Sequence, residues 1–307
     1  MGNKENNIKK PGVKTLSIHH GETFSEETGC VMPPIFSTST FKHGNKQNFD
    51  YTRSGNPNFK ILENILRSIE DSKYCTVFGS GISAVTAITS TLKSGDKILC
   101  ESNLYGCTVR MFDKVFKKFG IEALYTDFTD KKNIKKIKDF QPTLIWLESP
   151  TNPLLKILDI KLICDEANKH KIPVVLDNTF STALIQKPLE LGATLSLIST
   201  TKFINGHSDA LGGAVLTNNE EWNSKMLFSQ KALGLQPSPF DSWLITRGVK
   251  TLPLRIEQQT KSAEKISKEF ENHRIIIKAL YPFNQKHPQF NLAKSQMKSG
   301  GSMITLK

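Results

Sequence analysis

The chain predicts an α/β protein built on a mainly parallel sheet. From about Asn58, short apolar runs alternate with stretches of helical spacing. The runs are continuous rather than alternating, as in strands covered on both faces. After about Thr246 one long helical pattern is followed by two short apolar runs, which read as a smaller α+β unit. The expected division is an N-terminal arm over 1–52, an α/β domain over 53–245 and a C-terminal domain over 246–307. The last is expected to be incomplete, because it stops on a strand-like run that would leave an open edge.

The arm lacks a clear period and reads as extended chain with turns. "FKILENILRSIEDS" then places Ile61, Leu62, Ile65, Leu66 and Ile69 at helical spacing. "YCTVF" (74–78) predicts a strand, followed by a helix from Ile82 to Leu92. "KILCE" (97–101) predicts the next strand, with a helix from Val109 to Phe119. "EALYTD" leads to the helix "KKNIKKIKDF", and "TLIWLE" (143–148) to the helix "IKLICDEANKH". "IPVVLDN" (172–178), "TLSLIS" (194–199) and "GAVLT" (213–217) complete the strands. "LPLRIEQQTKSAEKISKEFEN" is the long helix, and "RIIIKALY" and "GSMITLK" come after it.

Composition narrows the function classes. A chain of 307 residues with 38% hydrophobic and 23% charged side chains is an ordinary globular protein with a substantial core. No apolar run approaches the roughly 18 residues of a membrane span. The opening "MGNKENNIKKPG" lacks the apolar centre of a secretory signal. The five cysteines include no CxxC, which suits a reducing cytosol, so a cytoplasmic location is expected. The net charge of +12 raises a nucleic-acid reading, but only six of the 41 basic side chains are arginine. The lysines are scattered over helix faces, so no nucleic-acid partner and no membrane partner is expected. His19 and His20 have no nearby cysteine, aspartate or histidine to complete a metal site, and none is expected.

The chemistry belongs at the carboxyl ends of the strands, where open parallel sheets bind ligands. "GSG" (79–81) follows a strand and opens a helix. Its glycines permit close approach, and the helix start offers free N–H groups to a phosphate, although the same residues suit an ordinary turn. Asp177 follows the apolar "VVL", so its carboxylate calls for a cation or donors, or caps a helix. Ser199 and Thr201 flank Lys202 at the next strand end, a place where lysine is seldom put without a reason. Together these groups describe the needs of pyridoxal 5′-phosphate: an amine for its aldehyde, an acid for its ring nitrogen and donors for its phosphate. Tyr105, after "KILCE", is placed to stack on the ring.

The motifs "YTRSGNP" (51–57), "GSGISA" (79–84), "LYGCT" (104–108), "ESPTNPLLKILDI" (148–160), "DNTF" (177–180), "STTKFINGHSD" (199–209), "RGVKTLPLR" (247–255) and "AKSQM" (293–297) occur in order. With them the chain resembles the Cys/Met-metabolism family of pyridoxal-phosphate enzymes, the transsulfuration group, from about Leu16 to its end. The resemblance implies the aspartate-aminotransferase-like fold (fold type I of these enzymes). It also implies that Lys202 is the Schiff-base lysine and acid–base catalyst, and that Asp177 pairs with the ring nitrogen. Ser199, Thr201 and the backbone of Gly81 and Ile82 would hold the phosphate. Tyr105 would stack on the ring and Asn152 would hold the substrate carboxylate. Tyr51 and Arg53 would reach a neighbouring subunit's phosphate, so a homo-oligomer, a dimer of dimers with shared sites, is expected. "GCVMPPI" and "ESPTNPLLKILDI" are most similar to the cystathionine γ-synthase branch, which joins an O-acylhomoserine to cysteine. Cystathionine γ-lyase and methionine γ-lyase are the alternatives, the latter because Cys107 stands in "LYGCT"; Cys107 also suits a small space-filling residue behind Tyr105. Phe203 departs from the tyrosine of many relatives. Neither Arg247 nor Arg255 matches the arginine that grips the substrate α-carboxylate, so a catalytically impaired oligomer partner on this fold is the alternative of another class.

Overall fold

The computed structural model describes residues 11–20, 28–271 and 273–307; the polar opening over 1–10 lies outside them. The arm, expected without a period, contains helix α1 (Val13–His19). That helix buries only Ser17, so no apolar stripe marks it in the sequence. Helix α2 (Pro57–Glu70) starts where the Asn56 side chain accepts the N–H of Asn58 and stops at Asp71, whose φ of 62° is left-handed. The five aliphatic residues that predict it are all buried.

The elements continue as β1 (Tyr74–Phe78), α3 (Gly81–Thr89), β2 (Lys97–Glu101), α4 (Gly106–Arg110), β3 (Glu122–Thr126), α5 (Lys136–Phe140) and β4 (Leu144–Glu148). Next come α6 (Ile160–Lys169), β5 (Val174–Asp177), α7 (Thr182–Ile185), β6 (Leu195–Ile198), β7 (Gly213–Thr217) and α8 (Glu220–Leu233). After them stand α9 (Pro239–Val249), α10 (Leu252–Phe270), β8 (Ala279–Leu280), α11 (Phe290–Gln296) and β9 (Thr305–Leu306).

Strands β1 to β7 form one sheet in the order β1-β7-β6-β5-β4-β2-β3. All pairs from β6 to β3 are parallel, and β7 is antiparallel to both neighbours, β6 and β1. Both faces are covered, as the continuous apolar runs require. Leu144 and Trp146 of β4 pack with α3 and α8, while Ile145 and Leu147 pack with α6. Because β7 reverses direction, the connection Ser199–Gly212 stays at the carboxyl end of the sheet. The turns after β1, β2, β4 and β5 emerge at that same end.

Three segments differ from their expected form. The helix expected over 109–119 is α4 succeeded by a π turn (Met111–Val115) and a 3₁₀ turn (Phe116–Phe119). The wider turn rotates the residues after it, so Phe112 and Phe116 are buried while Phe119 is 64% exposed. "KKNIKKIKDF" divides into a 3₁₀ turn (Lys131–Lys135) and α5. "RIIIKALY" contributes only β8, paired antiparallel with β9, and Ile275 and Ile277 are exposed. A β-rich run becomes strand only where another strand lies beside it.

Candidate active site

The strand ends enclose a cavity of about 1170 Å³. Gly81, Ile82, Tyr105, Asn152, Asp177, Ser199, Thr201 and Lys202 all line it. Tyr51 and Arg53 do not. Arg53 lies outside, its guanidinium 5.4 Å from the centre of the Tyr51 ring and donating from Nη1 to the carbonyl of Lys231 (2.8 Å).

One end of the cavity is a set of backbone donors. The Ser80 hydroxyl accepts the N–H of Ser83 (3.0 Å), and the Ser80 carbonyl accepts that of Ala84 (3.1 Å). The N–H groups of Gly81 and Ile82, at the start of α3, are left without an intrahelical partner. Gly81 is needed for space: a Cβ there would stand 2.9 Å from Cβ of Ser199. Ser199 is fixed by its N–H, which donates to Oγ1 of Thr179 (2.9 Å). The Thr201 hydroxyl donates to the Gly212 carbonyl (3.2 Å) and accepts the Gly212 N–H (3.0 Å), so its single proton has a partner within the chain.

A second wall carries carboxyl groups. Asp177 ends β5 and accepts the Thr179 N–H (3.0 Å). Burial pushes its carboxyl above the ordinary range, and the bonds from Thr179 oppose that. Its register partner on β4 is Glu148, pushed well above the ordinary range by burial and then by the Asp177 charge. Glu148 accepts the N–H of Tyr105 and that of Asn152, each at 2.8 Å. Tyr105 is 43% exposed at the cavity mouth. Its hydroxyl is held above the ordinary value by the Cys107 thiol beside it and then by desolvation, with the Arg110 charge acting in the opposite sense. Arg110 in turn donates to the Cys107 sulfur at 3.4 Å.

Lys202 faces the cavity on the β6–β7 connection, and its amine has no ion-pair or hydrogen-bond partner among the described residues. Its loop is held from behind. The Arg255 guanidinium donates to the carbonyls of Phe203 (2.6 Å), Ile204 (3.1 Å) and Gly248 (2.9 Å). Gly206, at φ 75°, leaves room for that guanidinium, since a Cβ there would collide with Nη1.

Glu148 and Thr179 are residues that sequence reasoning passes over, and it weighs Arg255 only as a match for the arginine that grips the substrate carboxylate. Glu148 carried the same signal as Asp177, a carboxylate directly after a buried apolar run. Nothing local marks Arg255 as a clamp for a loop some 50 positions away.

The donor set fits pyridoxal phosphate. Two free N–H groups and a hydroxyl suit a phosphate. A desolvated carboxyl suits a protonated ring nitrogen, and an unpaired amine suits an aldehyde. The volume exceeds the roughly 300–1,000 Å³ of a single-ligand pocket, which leaves room for substrate.

Comparison with known proteins points the same way. Residues 14–307 match the family described as Cys/Met metabolism PLP-dependent enzyme. The chain is 40% identical over 298 residues to a probable cystathionine γ-synthase of Herpetosiphon aurantiacus, covering 96% of this chain and 93% of the relative. It is 39% identical over 303 residues to a cystathionine γ-lyase of Dictyostelium discoideum, covering 97% and 78% respectively. Among solved structures, cystathionine γ-synthase from Xanthomonas oryzae pv. oryzae, in complex with aminoacrylate and cysteine, superposes with a TM-score of 0.94 at 34% identity. That match covers 97% of this chain and 78% of the other.

Proposed function

The chain belongs to the Cys/Met metabolism PLP-dependent enzymes, and from that membership we propose that it joins an O-acylhomoserine to cysteine, the cystathionine γ-synthase reaction. One observation carries the reading. Lys202, Asp177, Tyr105 and the free N–H groups of Gly81 and Ile82 face a single cavity with room for substrate beside the cofactor.

When bound, pyridoxal phosphate supplies an electron sink for the pair left at the substrate Cα. The N–H groups of Gly81 and Ile82 and the Ser199 hydroxyl bind its phosphate, and Thr201 joins them by turning its proton away from Gly212. Asp177 holds the proton at the ring nitrogen. Tyr105 covers the ring and Asn152 orients the substrate carboxylate. Lys202 removes the proton from Cα. After a second proton leaves Cβ, the acyloxy group would depart with the electrons of the Cγ–O bond, the cysteine sulfur, its own proton released, would bond to Cγ, and protons would return to Cβ and, from Lys202, to Cα. Tyr51 and Arg53, which lie outside their own chain's cavity, bind the phosphate of a neighbouring subunit in a dimer of dimers.

The Herpetosiphon and Xanthomonas proteins support the synthase branch. The Dictyostelium relative supports the alternative, cleavage of cystathionine. The test is to assay O-succinyl-, O-acetyl- and O-phosphohomoserine, each with cysteine, against cystathionine alone. Synthesis from one ester without cleavage is expected. Cleavage without synthesis sinks the synthase assignment, and silence with every substrate favours the impaired oligomer partner.

A further inference from the structure

The geometry points to Glu148 as the positioning residue that holds Tyr105 and Asn152 at the wall of the cavity. Its side chain is only 6% exposed at the end of β4, and each carboxylate oxygen has its own task. Oε2 accepts the Tyr105 N–H and Oε1 accepts the Asn152 N–H. The two residues lie in different loops, 43 and 4 positions from Glu148. Among the described residues no backbone bond joins those loops there, and the other tie between them is the Thr151 hydroxyl donating to Oδ1 of Asn103 (2.7 Å).

The tie matters because the elements it holds are short. Tyr105 is the N-cap of α4, a five-residue helix with no side-chain cap of its own. The Glu148 carboxylate thus fixes the start of the segment that carries the ring. Two acceptor oxygens are required for this. Glutamine at 148 would offer one acceptor and turn an amide donor toward the other N–H, so one anchor must be lost.

The surrounding charged groups leave no substitute. Asp177 faces Glu148 from β5, its own oxygen engaged by Thr179. Glu101 on β2 is already taken by Ser102, Asn103 and Phe128. Tyr105, Cys107 and Lys202 line the same cavity.

The inference rests on the proposed function only for what Tyr105 and Asn152 hold; the tie itself can be measured without cofactor. In ¹⁵N-labelled wild-type protein lacking pyridoxal phosphate, the amides of Tyr105 and Asn152 are expected to shift with pH together, with one midpoint. In E148Q that joint titration is lost, while the amides of Asn103 and Phe128, bonded to Glu101, keep theirs. With pyridoxal phosphate added, E148Q is expected to bind it roughly tenfold or more weakly, the cost of a lost charge-assisted bond. Its visible circular dichroism per bound cofactor is expected to fall, because the ring is less firmly oriented. Amides that shift independently or not at all, or an E148Q protein with wild-type affinity and dichroism, overturn the inference. If E148Q fails to fold, the wild-type titration decides alone. If wild-type protein binds no pyridoxal phosphate, the proposed function fails and the amide titration still judges Glu148.

Discussion

At Asp177 the end of β5 removes a carboxylate from water, and among the described residues only Thr179 compensates it. A cation placed against it reverses that balance, because the charged form then gains a partner. Replacing Asp177 with asparagine keeps the shape and removes the charge. D177N is expected to weaken pyridoxal phosphate binding by roughly 100-fold, measured by absorbance titration. Unchanged affinity would mean that the ring nitrogen lies elsewhere. Gly81 acts by size. In G81A the added methyl crowds Ser199 from 2.9 Å, so cofactor affinity and melting temperature are both expected to fall. Arg255 acts through its geometry: its planar fork meets three carbonyls that a lysine cannot satisfy together. R255K is expected to lose about 1–3 kcal/mol of stability in denaturant unfolding and to loosen the loop that carries Lys202.

At the scale of the element, α2 carries a pH dependence of its own. Burial raises Glu63 from 4.5 to about 7 and Glu70 from 4.5 to about 8. Both Glu70 oxygens lack a hydrogen-bond partner among the described residues, with the Ser196 hydroxyl nearby. The folded chain therefore keeps protons that the unfolded chain has already released. Stability falls as pH rises from about 4.5 to about 8 and levels off above that. E70Q removes the buried charge. It is expected to be close to neutral at the acid end of this range and stabilising, on the order of 1–3 kcal/mol, at the alkaline end. Melting temperature against pH checks this; a variant curve parallel to wild type would refute it.

At the scale of the whole molecule, Tyr51 and Arg53 raise the question of the neighbouring subunit. If they serve a partner's phosphate, K202A and R53A chains, each inactive alone, are expected to regain activity when unfolded and refolded together, since some mixed sites combine two intact halves. No recovery would mean that Arg53 and Lys202 do not complete one site from two subunits. The same nonlocality separates what could be read from the chain and what could not. The parallel strands were legible because each apolar run is a local pattern, and the strand ends carrying Asp177 and Lys202 came with it. The π turn after α4 was hidden, because Phe112, Phe116 and Phe119 read as one helical face whichever turn winds them.

By itself the sequence determined the α/β class, the family and the cofactor, since periodicity and ordered motifs such as "STTKFINGHSD" are properties of neighbouring residues. Only the tertiary structure decided that Glu148 ties two loops, that Arg255 clamps a third and that the Thr201 proton is already engaged. Those bonds depend on strand register and on the reversal of β7, which bring distant residues within hydrogen-bonding reach and leave no trace in local spacing.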